Sequence, residues 1–402
     1  MSSKTLPLAG VRVLDAATFI AAPYCATVLA EFGAEVIKVE QPGVGDPMRR
    51  FGSPTERADS SLAWLTEARN KKSVTLNLRV PGGAALFKRL CGVSDVVCEN
   101  FRPGTLERWG LGWDALKAVN PDLILLRVSG YGQTGPYRDR PGFARIAHAV
   151  GGLSALSGMP GETPMTPGST SLGDYLAGLY GTIGVLVALL HRRAGGGGQE
   201  IDIALYEAVF RVLDELAPAY ARNGTVRQPE GTGTLNACPH GHFPTADGKW
   251  VAIACTTDKM FSRLAAVMGR PDLAGDDAYG PQAQRLAARD TVDRLVAAWT
   301  GSLDRAALIE RCVAGEVPIG PLNTIADIFE DPQFAARDDL ATVEHPDLGE
   351  IVVPAPIPRM GETPGAITGL GPPLGNANEA VYGGLLGLDA SDIARLQDAG
   401  VI

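Results

Sequence analysis

The chain has 402 residues, of which 45% are hydrophobic and 20% charged, and its formal net charge at pH 7 is −9. A chain of this length and composition can bury a large core in two or three units, and its acidic balance disfavours a nucleic-acid partner. The sequence contains no charged-then-apolar leader and no uninterrupted run of about 18 apolar residues, so we expect a cytoplasmic protein with no membrane partner.

Short β-branched segments alternate with helical segments over the first half of the chain. Strands are predicted at 11–14, 35–39, 73–76, 95–98, 123–128 and 200–204, and helices at 23–32, 82–93, 113–119 and 207–221. This alternation is typical of a parallel sheet wrapped by helices. We therefore predict an α/β fold with a Rossmann-like large domain over residues 1–223, whose ligands bind beyond the carboxyl ends of the strands.

The sequence changes character after about residue 224. A strand at 250–254 and helices at 259–268, 285–300 and 305–314 predict a smaller α+β domain over residues 224–326. Residues 327–402 contain repeated Pro and Gly as far as Pro373, followed by a helical pattern at 389–397. We expect an extended return segment there, with a C-terminal helix that packs back on the large domain.

One aspartate, Asp174, lies where a turn of small residues leads into a long apolar helix. The surrounding sequence is GSTSLGDYLAGLYG at 168–181. An aspartate with an ordinary pKa near about 3.9 is ionised at neutral pH and can attack a thioester without a general base. The same position also suits a helix cap, because Asp accepts hydrogen bonds from backbone N–H groups at helix starts. The local pattern alone favours capping.

Six motifs follow one another along the chain. They are LAGVRVLD at 8–15, FGAEVIKVE at 32–40, PGVGD at 42–46, NKKSVTLN at 70–77, ENFRPGT at 99–105 and SGYGQTGP at 129–136. Together they resemble the class III CoA-transferase family, which includes formyl-CoA and carnitine CoA-transferases and α-methylacyl-CoA racemases. The resemblance covers nearly the whole chain, from residue 8 to about residue 402.

The resemblance implies a CoA-transferase in which Asp174 carries the acyl group as a mixed anhydride. CoA enters as a thioester substrate, no further cofactor is needed, and backbone N–H groups near Asp174 are expected to stabilise the oxyanions. Relatives form homodimers in which the two chains are interlocked rings. The Pro- and Gly-rich return segment is compatible with such a dimer and equally with a plain surface connection. The residues that this resemblance assigns to CoA binding in the large domain are Phe19, Ile20, Lys72, Asn100, Phe101 and Arg108.

The family contains two chemistries, and a histidine distinguishes them. Racemases of the family carry a Gly-His-Asp turn before the aspartate, whereas this chain reads Gly142-Phe143-Ala144. Both acid/base residues of that turn are missing, which favours the transferase. His148 is interpreted as a packed or substrate-lining histidine.

Several arginines precede the reacting aspartate and suggest an acidic substrate. Arg138, Arg140 and Arg145 are close in sequence, and guanidinium groups bind carboxylates well. We assign Arg140, Arg145 and His148 to the acceptor acid, and expect a dicarboxylic acid such as succinate, malate, citramalate or mesaconate. Oxalate or formate and aromatic or carnitine-like acids remain open.

No metal site is expected, since His240 and His242 lack a third nearby ligand and the six cysteines contain no CxxC pair. Two alternatives to the transferase stay open. One is a 2-methylacyl-CoA racemase or isomerase that uses Asp174 and His148 as acid/base partners. The other is a CoA-binding subunit whose activity needs a homologous partner chain.

Overall fold

The computed structural model describes residues 5–402. These residues form two compact units. The first contains the described residues up to Leu153, with Gly168–Glu215 and Ala336–Ile402, and the second contains Ser154–Pro167 and Leu216–Ala335. The boundaries at residues 223 and 326 remain predictions about independently folding domains.

A six-stranded parallel sheet forms the centre of the first unit, with the order β3-β2-β1-β4-β5-β6. The strands are β1 (Arg12–Asp15), β2 (Glu35–Glu40), β3 (Lys71–Thr75), β4 (Val96–Glu99), β5 (Ile124–Ser129) and β6 (Glu200–Ala204). Every residue of β4 and β5 is buried, as expected for strands covered by helices on both faces. The predicted α/β fold is confirmed.

Helices cover both faces of this sheet. Those of the first unit are α1 (Ala21–Glu31), α2 (Leu62–Glu67), α3 (Pro81–Gly92), α4 (Thr105–Arg108), α5 (Trp113–Val119), α6 (Ala144–Val150), α7 (Leu172–Arg193) and α8 (Leu205–Phe210). One apolar core joins the sheet to α1, α7 and α8, and a second joins it to α3, α5 and the C-terminal residues Val401 and Ile402. The single helix predicted at 207–221 is wrong, because the chain turns at Asp214, whose φ is 47°.

Helix α7 is the central helix of the first unit. It has 22 residues and is the one helix in residues 5–402 long and apolar enough to cross a membrane. Its buried side chains, among them Ala177, Val185 and Leu189, belong to the core with α1 and α8. Asp174 is the third residue of this helix.

The second unit is an α+β structure with a three-stranded antiparallel sheet. Its strands are β7 (His240–Pro244), β8 (Trp250–Ala254) and β9 (Ile319–Pro321), in that order. Its helices are α9 (Leu216–Asn223), α10 (Asp258–Val267), α11 (Gln282–Ala287), α12 (Arg289–Thr300), α13 (Arg305–Ala314) and α14 (Ile325–Glu330), followed by α15 (Pro332–Ala336) at its boundary. The helix predicted at 285–300 is interrupted at Ala288, where α11 ends and α12 begins.

The return segment is more ordered than the sequence suggested. Besides α14 and α15, it contains a hairpin of β10 (Leu340–His345) and β11 (Gly349–Pro354). The sequence analysis did not predict this hairpin, in which cross-strand partners such as Val343 and Ile351 pair side by side. The chain then reaches a π-helical turn at Glu379–Leu385 and ends with α16 (Ala390–Asp398), whose Ile393 and Leu396 pack on the second core of the first unit.

Candidate active site

A cleft of about 240 Å³ opens at the carboxyl ends of the central strands of the first unit. The segments that follow β1, β4 and β5 supply most of its wall, as expected for a ligand site in a parallel sheet. Asp174 and Leu205 complete it from α7 and α8. The lining residues outside these helices are 18–21, 100–103, 128–130, 138 and 140–143.

The carboxylate of Asp174 is free of protein partners. No residue among 5–402 donates a hydrogen bond to it, and burial raises the pKa of Asp174 to about 6. Desolvation is the whole physical cause, since no charge or hydrogen bond contributes to the shift. The capping interpretation therefore fails, because a capping carboxylate would accept a backbone N–H bond.

The start of α7 is capped from α6 instead. The side chain of Ser171, at the N-cap position, makes no capping bond, whereas Nε2 of His148 accepts a hydrogen bond from the N–H of Gly173 at 2.9 Å. The N–H groups of Asp174 and Tyr175 both donate to the carbonyl oxygen of Ser171, at 2.9 and 3.2 Å. These three N–H groups therefore have acceptors within the protein. The expectation that backbone N–H groups near Asp174 stabilise the oxyanions stays a prediction.

His148 is 1% exposed, and burial together with the nearby Arg145 lowers its pKa. Because Nε2 accepts a hydrogen bond, we assign the ring proton to Nδ1. Nδ1 itself has no hydrogen-bond partner. The ring is thus neutral and points one nitrogen at the backbone that carries Asp174.

The loop after β1 forms the wall opposite and is held from two sides. The side-chain amide of Asn100 accepts from the N–H of Thr18 at 2.8 Å and donates to its carbonyl oxygen at 2.7 Å. The N–H of Phe19 donates to Asp46 at 3.1 Å. Phe19 has a φ of 60°, which is a strained conformation for a bulky residue and persists only where its surroundings impose it.

A buried ionic cluster anchors Asp46 beneath this loop. Nζ of Lys38 lies 2.8 Å from Asp46 and 3.4 Å from Asp15, and Nζ of Lys71 lies 2.8 Å from Asp15. Burial on its own would lower the pKa of Lys38, but Asp15 and Asp46 outweigh it and raise that pKa. The lysine therefore stays charged. Through Lys38 and Asp46, the cluster holds the loop that forms the cleft wall against β2.

The model of the CoA-transferase family III matches residues 8–378. The chain belongs to CoA-transferase family III. The alpha and beta subunits of succinyl-CoA–L-malate CoA-transferase from Chloroflexus aurantiacus are each 59% identical to this transferase; the alignments cover 99% of this chain and 93% of the alpha subunit, and 100% of this chain and 99% of the beta subunit. A solved CAIB/BAIF family protein from Brucella suis is 33% identical, with a TM-score of 0.84 over 95% of this chain and 100% of the other.

Five of the residues assigned from the transferase motifs line the cleft beside Asp174: Phe19, Ile20, Asn100, Phe101 and Arg140. Asn100 does so with its amide already engaged by Thr18. Its expected role in packing the CoA chain stays a prediction, and its observed role is to hold the loop.

Four other assigned residues lie outside the cleft lining. Lys72 pairs with Glu35 at 2.7 Å on the surface, and Arg108 donates to Oγ1 of Thr105 at 2.8 Å. Arg145 is exposed on α6 and His148 is buried behind the cleft. The ligand contacts assigned to these four residues remain predictions. Arg145 and His148 could contact the acceptor acid only if the acid binds outside this cleft.

Arg102 and Ser129 are among the lining residues that were not assigned from the sequence. Arg102 follows Phe101 in the ENFRPGT motif, faces the cleft and has no ion pair or side-chain hydrogen bond among residues 5–402. Its adjacency to Phe101 was the signal that could have favoured it over Arg108. Ser129 opens the SGYGQTGP motif at the end of β5 and also lines the cleft.

A second cleft of about 110 Å³ shares Thr18 and Phe101 with the first. Arg79 and Trp109 lie in its wall, together with residues after β2. The two clefts therefore adjoin each other at Thr18 and Phe101. The position of Arg79 two residues after the NKKSVTLN motif, beyond the carboxyl end of β3, was its sequence signal.

Proposed function

We propose that the protein transfers CoA from an acyl-CoA donor to a free dicarboxylic acid in the cytoplasm, with the CoA thioester as substrate and no further cofactor. The observation that carries this proposal is the unpartnered carboxylate of Asp174 in the cleft. The names of the two Chloroflexus relatives, which refer to succinyl-CoA and L-malate, support the class of both acids.

The covalent steps all pass through Asp174. Its carboxylate oxygen attacks the thioester carbonyl carbon, the carbon–sulfur bond breaks, and CoA leaves as a thiolate while a mixed anhydride forms. The thiolate then attacks the aspartyl carbonyl, which frees the donor acid as a carboxylate and leaves CoA on Asp174. The acceptor carboxylate attacks this aspartyl thioester, and the thiolate attacks the acceptor carbonyl of the new anhydride, which restores Asp174.

The environment of Asp174 suits this role. With a pKa of about 6, roughly nine-tenths of the side chain is ionised at pH 7. A carboxylate that has lost water and has no protein donor is not held back by hydrogen bonds that attack would have to break. The side chain is therefore both charged and available at neutral pH.

Arginines in the cleft wall could bind a second carboxylate of the substrate acids. Arg102 has no protein partner, Arg138 pairs with the exposed Asp139 at 3.5 Å, and Arg140 stacks on the ring of Tyr137 at 3.6 Å. A guanidinium group binds a carboxylate through paired hydrogen bonds. These three cations favour an acid that keeps one carboxylate free while the other reacts.

Racemisation is less well supported. A racemase would need His148 to exchange a proton with the substrate, yet its Nε2 accepts from Gly173 and the residue does not line the cleft. Incubation with 2-methylacyl-CoA in deuterated water separates the two reactions, because a transferase leaves the α-hydrogen in place.

We also propose that a second chain covers part of α7, in a homodimer. Five apolar side chains on this helix are 36–62% exposed, namely Leu179, Ile183, Leu186, Val187 and Leu190. A continuous apolar stripe of this kind on a helix marks an interaction surface. The alpha and beta subunit names of the relatives point to a homologous second chain as the other possible occupant.

The test is transfer from succinyl-CoA to a panel of free acids, read by mass spectrometry. We expect dicarboxylic acids to be the best acceptors. With succinyl-CoA alone, hydroxylamine should convert Asp174 to a hydroxamate and release CoA, and the Asp174→Ala variant should show neither product. Transfer by Asp174→Ala, or hydroxylamine modification of another residue, would disprove the mechanism.

A further inference from the structure

We propose that the hydroxyl of Ser129 donates a hydrogen bond to the acyl oxygen of the substrate while Asp174 attacks it. This inference rests on the proposed CoA transfer. Ser129 ends β5, lines the cleft with Asp174 and is 7% exposed. Its Oγ has no hydrogen-bond partner in the protein.

An unpartnered hydroxyl at this depth needs an explanation. Burying a polar atom without a partner costs free energy, so such atoms are rare and often belong to functional sites. Among residues 5–402, the buried side-chain atoms with neither a hydrogen bond nor an ion pair are Ser60 Oγ, Glu67 Oε2, Ser129 Oγ, Gln133 Nε2 and His148 Nδ1. Of these residues, Ser129 is the one that lines the cleft. A ligand in the cleft is therefore the natural partner of this hydroxyl.

The chemistry of the cleft favours an acyl oxygen as that ligand atom. Attack on a thioester develops negative charge on the carbonyl oxygen, which needs a donor in a site that excludes water. The N–H groups of Gly173, Asp174 and Tyr175 are all engaged. The amide of Asn100 is also engaged, by Thr18. Ser129 is the buried side-chain donor that remains free.

The backbone next to Ser129 is tightly packed. Gly130 and Gly142 pass so close that a Cβ atom on Gly130 would lie 2.8 Å from Cα of Gly142. Side chains are therefore excluded at both positions, which keeps this part of the cleft wall narrow and rigid.

Ser129→Ala tests this inference, with Ser60→Ala as a matched control. Ser60 is 6% exposed and its Oγ also lacks a partner, but it does not line the cleft. We expect Ser129→Ala to lower kcat tenfold or more and to slow hydroxamate formation from succinyl-CoA by the same factor. The KM for succinyl-CoA should change little. Ser60→Ala should retain wild-type activity.

Thermal denaturation distinguishes this role from a structural one. Removal of an unpartnered buried hydroxyl should leave the midpoint unchanged or higher in both variants. A lower midpoint for Ser129→Ala, with an activity loss that follows it, would mean that Ser129 supports the fold, and the inference would be wrong. The Ser129→Cys variant, with a weaker donor of similar size, should have intermediate activity.

The acceptor provides a further check. The exchange of labelled succinate with succinyl-CoA has no substrate hydroxyl, whereas transfer to L-malate does. We expect Ser129→Ala to slow both reactions equally. Loss of malate transfer alone would assign the hydroxyl to the malate 2-OH and overturn the inference. If wild-type protein neither transfers CoA nor forms a hydroxamate, the proposed function fails and the inference falls with it; wild-type rates in Ser129→Ala would overturn the inference alone.

Discussion

Nε2 of His148 accepts a hydrogen bond of 2.9 Å from the backbone N–H of Gly173, the residue before Asp174. A side chain on α6 thus caps the helix that carries the proposed nucleophile. Gly173 has no side chain at this point, and a Cβ atom there would lie 3.4 Å from the imidazole ring and 3.3 Å from Val209. The contact ties the position of Asp174 to a buried neutral histidine.

Replacing His148 should therefore affect both stability and catalysis. In His148→Leu the N–H of Gly173 loses its acceptor, and the loss of such a cap costs about 1 kcal/mol. His148→Gln can offer a side-chain oxygen near the position of Nε2 and should recover much of the loss. Thermal denaturation and kcat measure the two effects. Equal behaviour of the Gln and Leu variants would contradict a capping role.

Asp174→Asn should stabilise the protein at pH 8 while it abolishes transfer. The folded-state pKa of about 6 lies above the ordinary value of 3.8, so the folded state is penalised for the charge when both states are ionised. The shift corresponds to at most about 3 kcal/mol. The advantage of the variant should be full above about pH 7 and largely lost by pH 4, where wild-type Asp174 is protonated in the folded state and about half protonated in the unfolded state. Denaturant titrations at pH 8 and pH 4 measure this, and a variant that is less stable at pH 8 would contradict it.

Asp46→Asn should be strongly destabilising, because it removes one of the two carboxylates that pair with the buried Lys38. Breaking a buried ion pair on one side typically costs about 3–5 kcal/mol. The variant should also lose activity, since Asp46 holds the N–H of Phe19 in the cleft wall. As a control, Asp139→Asn removes an exposed partner of Arg138 and should leave the midpoint nearly unchanged. Similar midpoints for the two variants would show that the buried cluster contributes little.

Arg140→Ala should weaken acceptor binding more than Arg145→Ala does. Arg140 lines the cleft, whereas Arg145 lies outside its lining. The loss of one charge-assisted hydrogen bond of about 1.5–3 kcal/mol raises KM roughly tenfold or more. Steady-state kinetics with L-malate and with a monocarboxylic acid make the comparison. A larger effect for Arg145→Ala, confined to dicarboxylic acids, would return Arg145 to the acceptor site.

Light scattering of the purified chain should give twice the 42.1 kDa of one chain. This prediction of a dimer rests on the exposed apolar stripe of α7, on which Ile183 is 56% exposed. Ile183→Asp places a charge on that stripe and should weaken the dimer, because a buried charge without a partner is costly. A wild-type monomer that gains transfer activity only with a homologous second chain would favour a heteromer.

Much of the first unit could be predicted from local sequence. Short runs rich in β-branched residues predicted the strands β1, β2, β4, β5 and β6, because such runs are typical of the buried strands of a parallel sheet. Prediction failed where a turn interrupts a helical pattern, as at Asp214, whose left-handed φ of 47° is a local departure that apolar periodicity does not report. The hairpin of β10 and β11 was missed for a different reason: the Pro- and Gly-rich composition of the surrounding segment was interpreted as irregular chain.

By itself the sequence determined the α/β class, the family resemblance and the identity of Asp174 as the residue to test, because these depend on periodicity and on ordered motifs. The tertiary structure decided the surroundings of that residue. It placed Arg102 rather than Arg108 in the cleft lining, paired His148 with Gly173 across 25 residues, and left Ser129 Oγ without a partner. Hydrogen bonding and desolvation depend on which atoms are in contact in the folded protein, and spacing along the chain does not specify those contacts.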